Sequence, residues 1–236
     1  MTRQIVCFAF SLLAASATLA DAFTAEHLVR IDRVGAPAVS PAGDRIVYAV
    51  RHTDMEADTG RYDLWLSTID GGAPRQLTTH DANDTSPAWS PDGRYILFLS
   101  SRGESTQVWR LPVNGGEAQP VTDLPLDVGT FRLSPTGDRL VVSLSVYPDC
   151  DDLQCTADRV ADKQEDKVTA QRYDRLFMRH WDHWLDDRRS QLFVMPLDED
   201  VEAHGTPVRL SSLEADVPSR VWGGNEEYAV SPDGKT

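Results

Sequence analysis

"SPAWSPDGRYILFLSSRGESTQVWRLPVNGGEAQPVT", residues 86–122, holds one complete structural unit. Residues 86–90 read as a short strand running into the turn Ser90-Pro91-Asp92-Gly93. Residues 94–100 (RYILFLS) are rich in β-formers, and residues 107–113 (QVWRLPV) alternate apolar and polar positions. Asn114-Gly115-Gly116 is a hairpin signal, and residues 118–122 (AQPVT) form a fourth strand. In the turn, proline presets φ, aspartate tolerates the next position, and glycine accepts a positive φ. Every residue of S-P-D-G thus has a backbone reason to be there, and the motif reads as a hairpin turn in preference to a nucleophile or metal motif.

The unit recurs. Ser40-Pro-Ala-Gly, Ser90-Pro-Asp-Gly, Ser134-Pro-Thr-Gly and Ser231-Pro-Asp-Gly are spaced by 50, 44 and 97 residues. Trp65 and Trp109 share the 44-residue offset, as do Gly71-Gly72 with Gly115-Gly116 and Leu77-Thr78 with Val121-Thr122. Four strands in about 44 residues is the period of a propeller blade. The predicted fold is therefore an all-β, partial β-propeller of four-stranded S-P-D-G blades over residues 23–236. Its tryptophans are expected to pack between blades. Propellers use roughly 4–8 blades, and this chain offers two plain blades, an interrupted third and the first turn of a fourth. On that count it is expected to be part of a longer protein.

The third blade is interrupted. It opens at residues 131–146, and its last two strands resume at residues 191–197 and 207–211. Between them, residues 147–190 form an insertion of different character, expected to be partly helical and capped by Thr156. The stretch from Tyr173 to Trp184 (YDRLFMRHWDHW) interleaves rings with Arg, His and Asp, a composition that suits either docking of the insertion or ligand contact. His180, Asp182 and His183 lack the H-E-x-x-H spacing or a distant third ligand, so no metal is expected there. No cofactor is expected either.

Outside the repeat, the first 22 residues read as a secretory signal peptide. Arg3 supplies the positive start, the uncharged run from Ile5 to Ala20 is shorter than the ~20 residues of a membrane span, and Ala20-Asp21-Ala22 fits a cleavage site. Cleavage after Ala20 fits too. The mature protein is then expected to be secreted or periplasmic, with no membrane association. In such a compartment Cys150 and Cys155, five positions apart, are expected to form a disulfide pinning a local loop, ahead of the metal-site alternative. A net charge of −14 argues against nucleic acid and against anionic lipid headgroups.

The opening of the mature chain, FTAEHLVRIDRVGAPAVSPAGDRIVYAV (residues 23–50), and the YDRLFMRHWDHW stretch resemble the prolyl oligopeptidase family, specifically its dipeptidyl-peptidase and acylaminoacyl-peptidase branch. The S-P-D-G blades are shared more widely, including with the propeller of the bacterial Tol-Pal system. The resemblance implies an exported serine exopeptidase in which a propeller, usually of about seven or eight blades, covers a C-terminal α/β-hydrolase domain. That domain carries the Ser, Asp and His in and around a G-x-S-x-G elbow. No G-x-S-x-G occurs in this sequence, so no catalytic residue can be assigned; the chain alone is expected to be inactive, its hydrolase domain lying elsewhere. The family's propellers screen short peptide substrates by size and touch their amino end. Arg179, His180 and Asp182 are the residues the resemblance marks for that role, an Asp pairing with an α-amino group and an Arg with a carbonyl or carboxylate. The competing reading is a non-catalytic protein-binding propeller like that of the Tol-Pal system.

Overall fold

The computed structural model describes residues 22–168, 179–180, 183–211, 215–220 and 222–234. A short helix, α1 (Ala25–Arg30), leads into three antiparallel sheets. The first contains β1 (Arg33–Val34), β2 (Ala38–Val39), β3 (Arg45–Asp54), β4 (Thr59–Thr68) and β5 (Arg75–Gln76). Its inner position is split, because β1 and β2 pair with successive parts of β3. The second is β6 (Asp84–Trp89), β7 (Tyr95–Ser100), β8 (Gln107–Pro112) and β9 (Gln119–Pro120), in that order across the sheet. The third begins with β10 (Val128–Leu133) and β11 (Arg139–Val146). The chain then leaves through α2 (Leu153–Glu165) and a two-stranded ribbon, β12 (Arg179–His180) with β13 (His183–Trp184). It returns as β14 (Arg189–Pro196) and β15 (Val208–Arg209), completing the order β10-β11-β14-β15.

These are the expected four-stranded blades, and among the described residues the three sheets do not close into a ring. The strand edges move by a few residues: the fourth strands shrink to two residues each, and the excursion spans residues 147–188. A register shift in β6 between Thr85 and Ala88 lets Pro87 sit in a strand, where a missing N–H would otherwise break the ladder. The same shift recurs in β10 between Val128 and Thr130.

The run YILFL, residues 95–99, is continuously apolar because the blade is buried on both faces. Ile96 and Phe98 enter one cluster with Val47, Leu64, Leu66 and Trp89 of blades one and two. Leu97 and Leu99 enter another with Leu140, Val142, Leu144 and Phe193 of blade three. Each fully buried side chain of this kind contributes about 1.5–3 kcal/mol. Trp89 also donates its indole N–H to the Ala38 carbonyl at 3.0 Å, tying two blades together. Blades two and three are joined by Arg110, whose buried guanidinium meets Glu202 at 2.6 Å.

The turns repeat atom by atom. The glycine N–H donates to the serine carbonyl in all four S-P-x-G turns, at 2.8 or 2.9 Å, and the glycines hold φ between +68° and +77°. Each of Ser40, Ser90 and Ser134 also accepts, on its hydroxyl, the N–H that opens the next strand. A second repeat ties the outer strands. The hydroxyls of Thr78, Thr122 and Ser211 accept the N–H of Leu64, Val108 and Leu192 at 3.0, 3.0 and 2.9 Å. They donate in turn to Asp63, Gln107 and Gln191. The Leu-Thr and Val-Thr pairs seen as sequence markers are thus structural latches.

All S-P-x-G turns and all links from third to fourth strand lie at one end of the blades. The links from second to third strand, including residues 147–188, lie at the other. The helix of the excursion differs from its sequence expectation. Its cap is Asp152, which accepts the Cys155 N–H at 2.8 Å, and Thr156 is buried inside the helix, accepting the Tyr147 N–H at 3.2 Å. Asp152 wins because a cap side chain must precede the first turn, and Thr156 is needed to anchor the helix to the strand end.

Candidate functional site

The end opposite the turns holds a cavity of about 520 Å³ where the excursion meets blade three. Its floor is β10 and β11, through Gly129, Thr130, Ser143, Leu144 and Ser145. One wall is Ala157 and Val160 of α2 with Glu104 and Ser105 from the turn of blade two, and the other is Leu185, Arg188 and Ser190. Pro218, Ser219, Arg220 and Gly223, from the segment after blade three, close it over. A wider cleft of about 1040 Å³ lies between α2 and blade two and shares Glu104, Ser105, Ala157 and Val160 with it. The volume of the first is in the range of small-ligand sites.

The disulfide Cys150–Cys155 staples the start of α2 beside the end of β11, its Cα atoms 5.6 Å apart. Arg159 grips Asp149 with both terminal amino groups, at 2.9 and 3.0 Å, and lies over the Tyr147 ring. These contacts all sit on the first two turns of the helix, and residues 161–168 are exposed. The wall of the cavity is thus held most closely at its start, with Lys163 of the last turn reaching back over the Tyr147 ring at 5.1 Å.

The electrostatic feature of the cavity is a carboxylate between two guanidiniums. Asp186 accepts Arg188 Nε at 2.6 Å and Arg220 at 2.8 Å. Arg220 also donates to the carbonyls of Asp186 and Arg188, at 2.9 and 2.7 Å, which locks the loop. Burial opposes ionisation of Asp186, but Arg188 and Arg220 outweigh it and hold its carboxyl below the usual range. Next to this group Arg189 pairs with Asp216 at 3.1 Å. Tyr228 shares a hydrogen bond of 3.0 Å with Thr130 on the cavity floor, and burial, more than this bond offsets, pushes its hydroxyl pKa up.

Of the residues marked from sequence, Arg179 and His180 form β12, opposite Trp184 and His183 in the ribbon that leads directly into Leu185. Asp182 lies outside the described residues. Arg188 and Arg220 were not marked. They stand 32 positions apart, outside the blade period, and are joined only by the chain's return over blade three. An arginine two positions after an aspartate is too common to have signalled it. Among the described residues no group of three or more His, Cys, Asp or Glu side chains could hold a metal ion, and no helix is long and apolar enough to cross a membrane.

A family profile described as the TolB beta propeller domain matches residues 24–174. The chain belongs to the TolB β-propeller family. Within it, the resemblance to the prolyl oligopeptidase family holds for the propeller portion. Dipeptidyl-peptidase 5 of Porphyromonas gingivalis is 27% identical over 244 residues, covering all of this chain and 33% of that protein. An uncharacterized peptidase of Bacillus subtilis is 32% identical over 124 residues, 52% of this chain and 19% of that one. This TolB-type chain therefore spans about a third or less of the length of such relatives. Among solved structures, an acylaminoacyl peptidase of Pyrococcus horikoshii aligns over 78% of this chain and 26% of its own, with 14% identity and a TM-score of 0.53. That likeness speaks for the fold.

Proposed function

We propose that this chain is the propeller portion of an exported serine exopeptidase, gating and positioning short peptides for a C-terminal α/β-hydrolase domain. The observation that carries the reading is the dipeptidyl-peptidase 5 match over the whole chain, excursion included. A blade has no structural need of residues 147–188, since β11 and β14 pair over eight residues without them. The cavity that the excursion builds gives it a use: its hydroxyls, two arginines and the carboxylates of Glu104 and Asp127 suit a peptide with both charged ends. Arg179, His180 and Asp182 are assigned contact with the peptide's amino end and first carbonyl.

The test uses the product of the complete reading frame. It should be labelled by a fluorophosphonate and release dipeptides from short peptides, while residues 23–236 alone should do neither. Asp182→Ala should raise KM several-fold for substrates with a free amino end and leave acylated ones unchanged; an equal effect on both removes Asp182 from that role. The TolB family match favours a second reading, a propeller that only binds proteins. A full-length product that is inert to the fluorophosphonate yet retains a protein partner would decide for it.

A further inference from the structure

Arg188 is held as a half-used fork. Its Nε donates to Asp186 at 2.6 Å, and among the described residues neither of its terminal amino groups donates a hydrogen bond. Its side chain is 31% exposed, on the cavity wall. Arg220 differs: it is 13% exposed and spends its amino groups on Asp186 and on two loop carbonyls. One guanidinium thus builds the loop and the other is presented. With two guanidiniums sharing one carboxylate, the group carries a net positive charge, which an anion would complete.

The geometry of a guanidinium with its two amino groups open is that of planar, two-point recognition of a carboxylate. Pinning Nε beforehand lowers the ordering cost of binding. Apolar contact for the rest of a ligand comes from Leu144, Val160 and Leu185. We infer that Arg188 binds a carboxylate of the peptide held in this cavity, making it a specificity-determining residue apart from the amino-end contacts. The carboxylate is either the peptide's C-terminus or an acidic side chain. This deepens the peptide-binding reading above and rests on it.

Calorimetry on the full-length protein tests it with three uncleavable probes: Ala-Val, the alcohol Ala-valinol, and Glu-valinol, whose one carboxylate is on a side chain. One carboxylate probe should bind about tenfold or more tightly than Ala-valinol. Ala-Val being the tight one identifies the C-terminus, and Glu-valinol the side chain. Arg188→Gln should bring that probe to the level of Ala-valinol, and Arg188→Lys, a point charge without the fork, should recover only part. Arg220 keeps its hold on Asp186 in both variants, and the wild-type comparison stands even if one misfolds. Probes bound without carboxylate preference, or a preference that survives Arg188→Gln, overturn the Arg188 assignment alone. No binding of any probe overturns the peptide-binding reading together with it.

Discussion

The turn serines of the three blades each make at least four hydrogen bonds. Ser134 exchanges backbone bonds with Gly137 and Arg139, accepts the Arg139 N–H on its hydroxyl at 3.1 Å and donates to Asp138 at 2.9 Å. It is fully buried, so removing the hydroxyl strands a backbone donor. Ser134→Ala should cost about 1–3 kcal/mol by urea unfolding; a loss under about 0.5 kcal/mol would mean water replaces the bond. The acid that accepts the serine hydroxyl's hydrogen bond shifts between turns. Blade two uses Asp92, whereas blades one and three, with Ala42 and Thr136 there, use Asp44 and Asp138 two positions on. At Asp92 burial resists ionisation, but Ser90 and Arg94 overcome it and lower the carboxyl from 3.8 to about 2. A folded value below the unfolded one stabilises the fold above the unfolded pKa. That stability is lost as pH falls from 3.8 toward 2. In pH-dependent unfolding, wild type and Asp92→Asn should differ at neutral pH and converge below about pH 2.

The helix of the excursion is fastened at its first turns, by the disulfide, the Asp152 cap and Arg159. Changing both Cys150 and Cys155 to Ser should speed amide exchange over Leu153–Glu165 at least tenfold while the blade strands keep their protection. Equal acceleration throughout would show that the staple holds the whole fold. This element also marks how far the sequence could be read. The blades were legible because turn chemistry and a 44-residue offset repeat, and Trp65 and Trp109, or Thr78 and Thr122, announce each other. The excursion has no second copy to compare with. Thr156 and Asp152 are both competent caps by type, and only the strand end they meet separates their roles. The Arg188, Asp186 and Arg220 group was illegible for the same reason: its members belong to no period, and the contact exists only after the chain folds back.

Among the described residues, the apolar core joins each blade to its sequence neighbours, with one cluster between blades one and two and another between two and three. Leu64→Ala strikes the first and Leu140→Ala the second, both at fully buried positions. Each should cost about 2–5 kcal/mol. In a linear array the two losses should add to within about 0.5 kcal/mol in urea unfolding. A large coupling would mean that blade two transmits strain between its faces. The eight paired residues of β11 and β14, Val146 opposite Arg189 through Arg139 opposite Pro196, have a last consequence. The sheet is stitched shut beneath the excursion, so whatever leaves and re-enters there is a replaceable cartridge. A lineage could lengthen, exchange or discard residues 147–188 and so change what the protein selects, without disturbing a single rung of the scaffold.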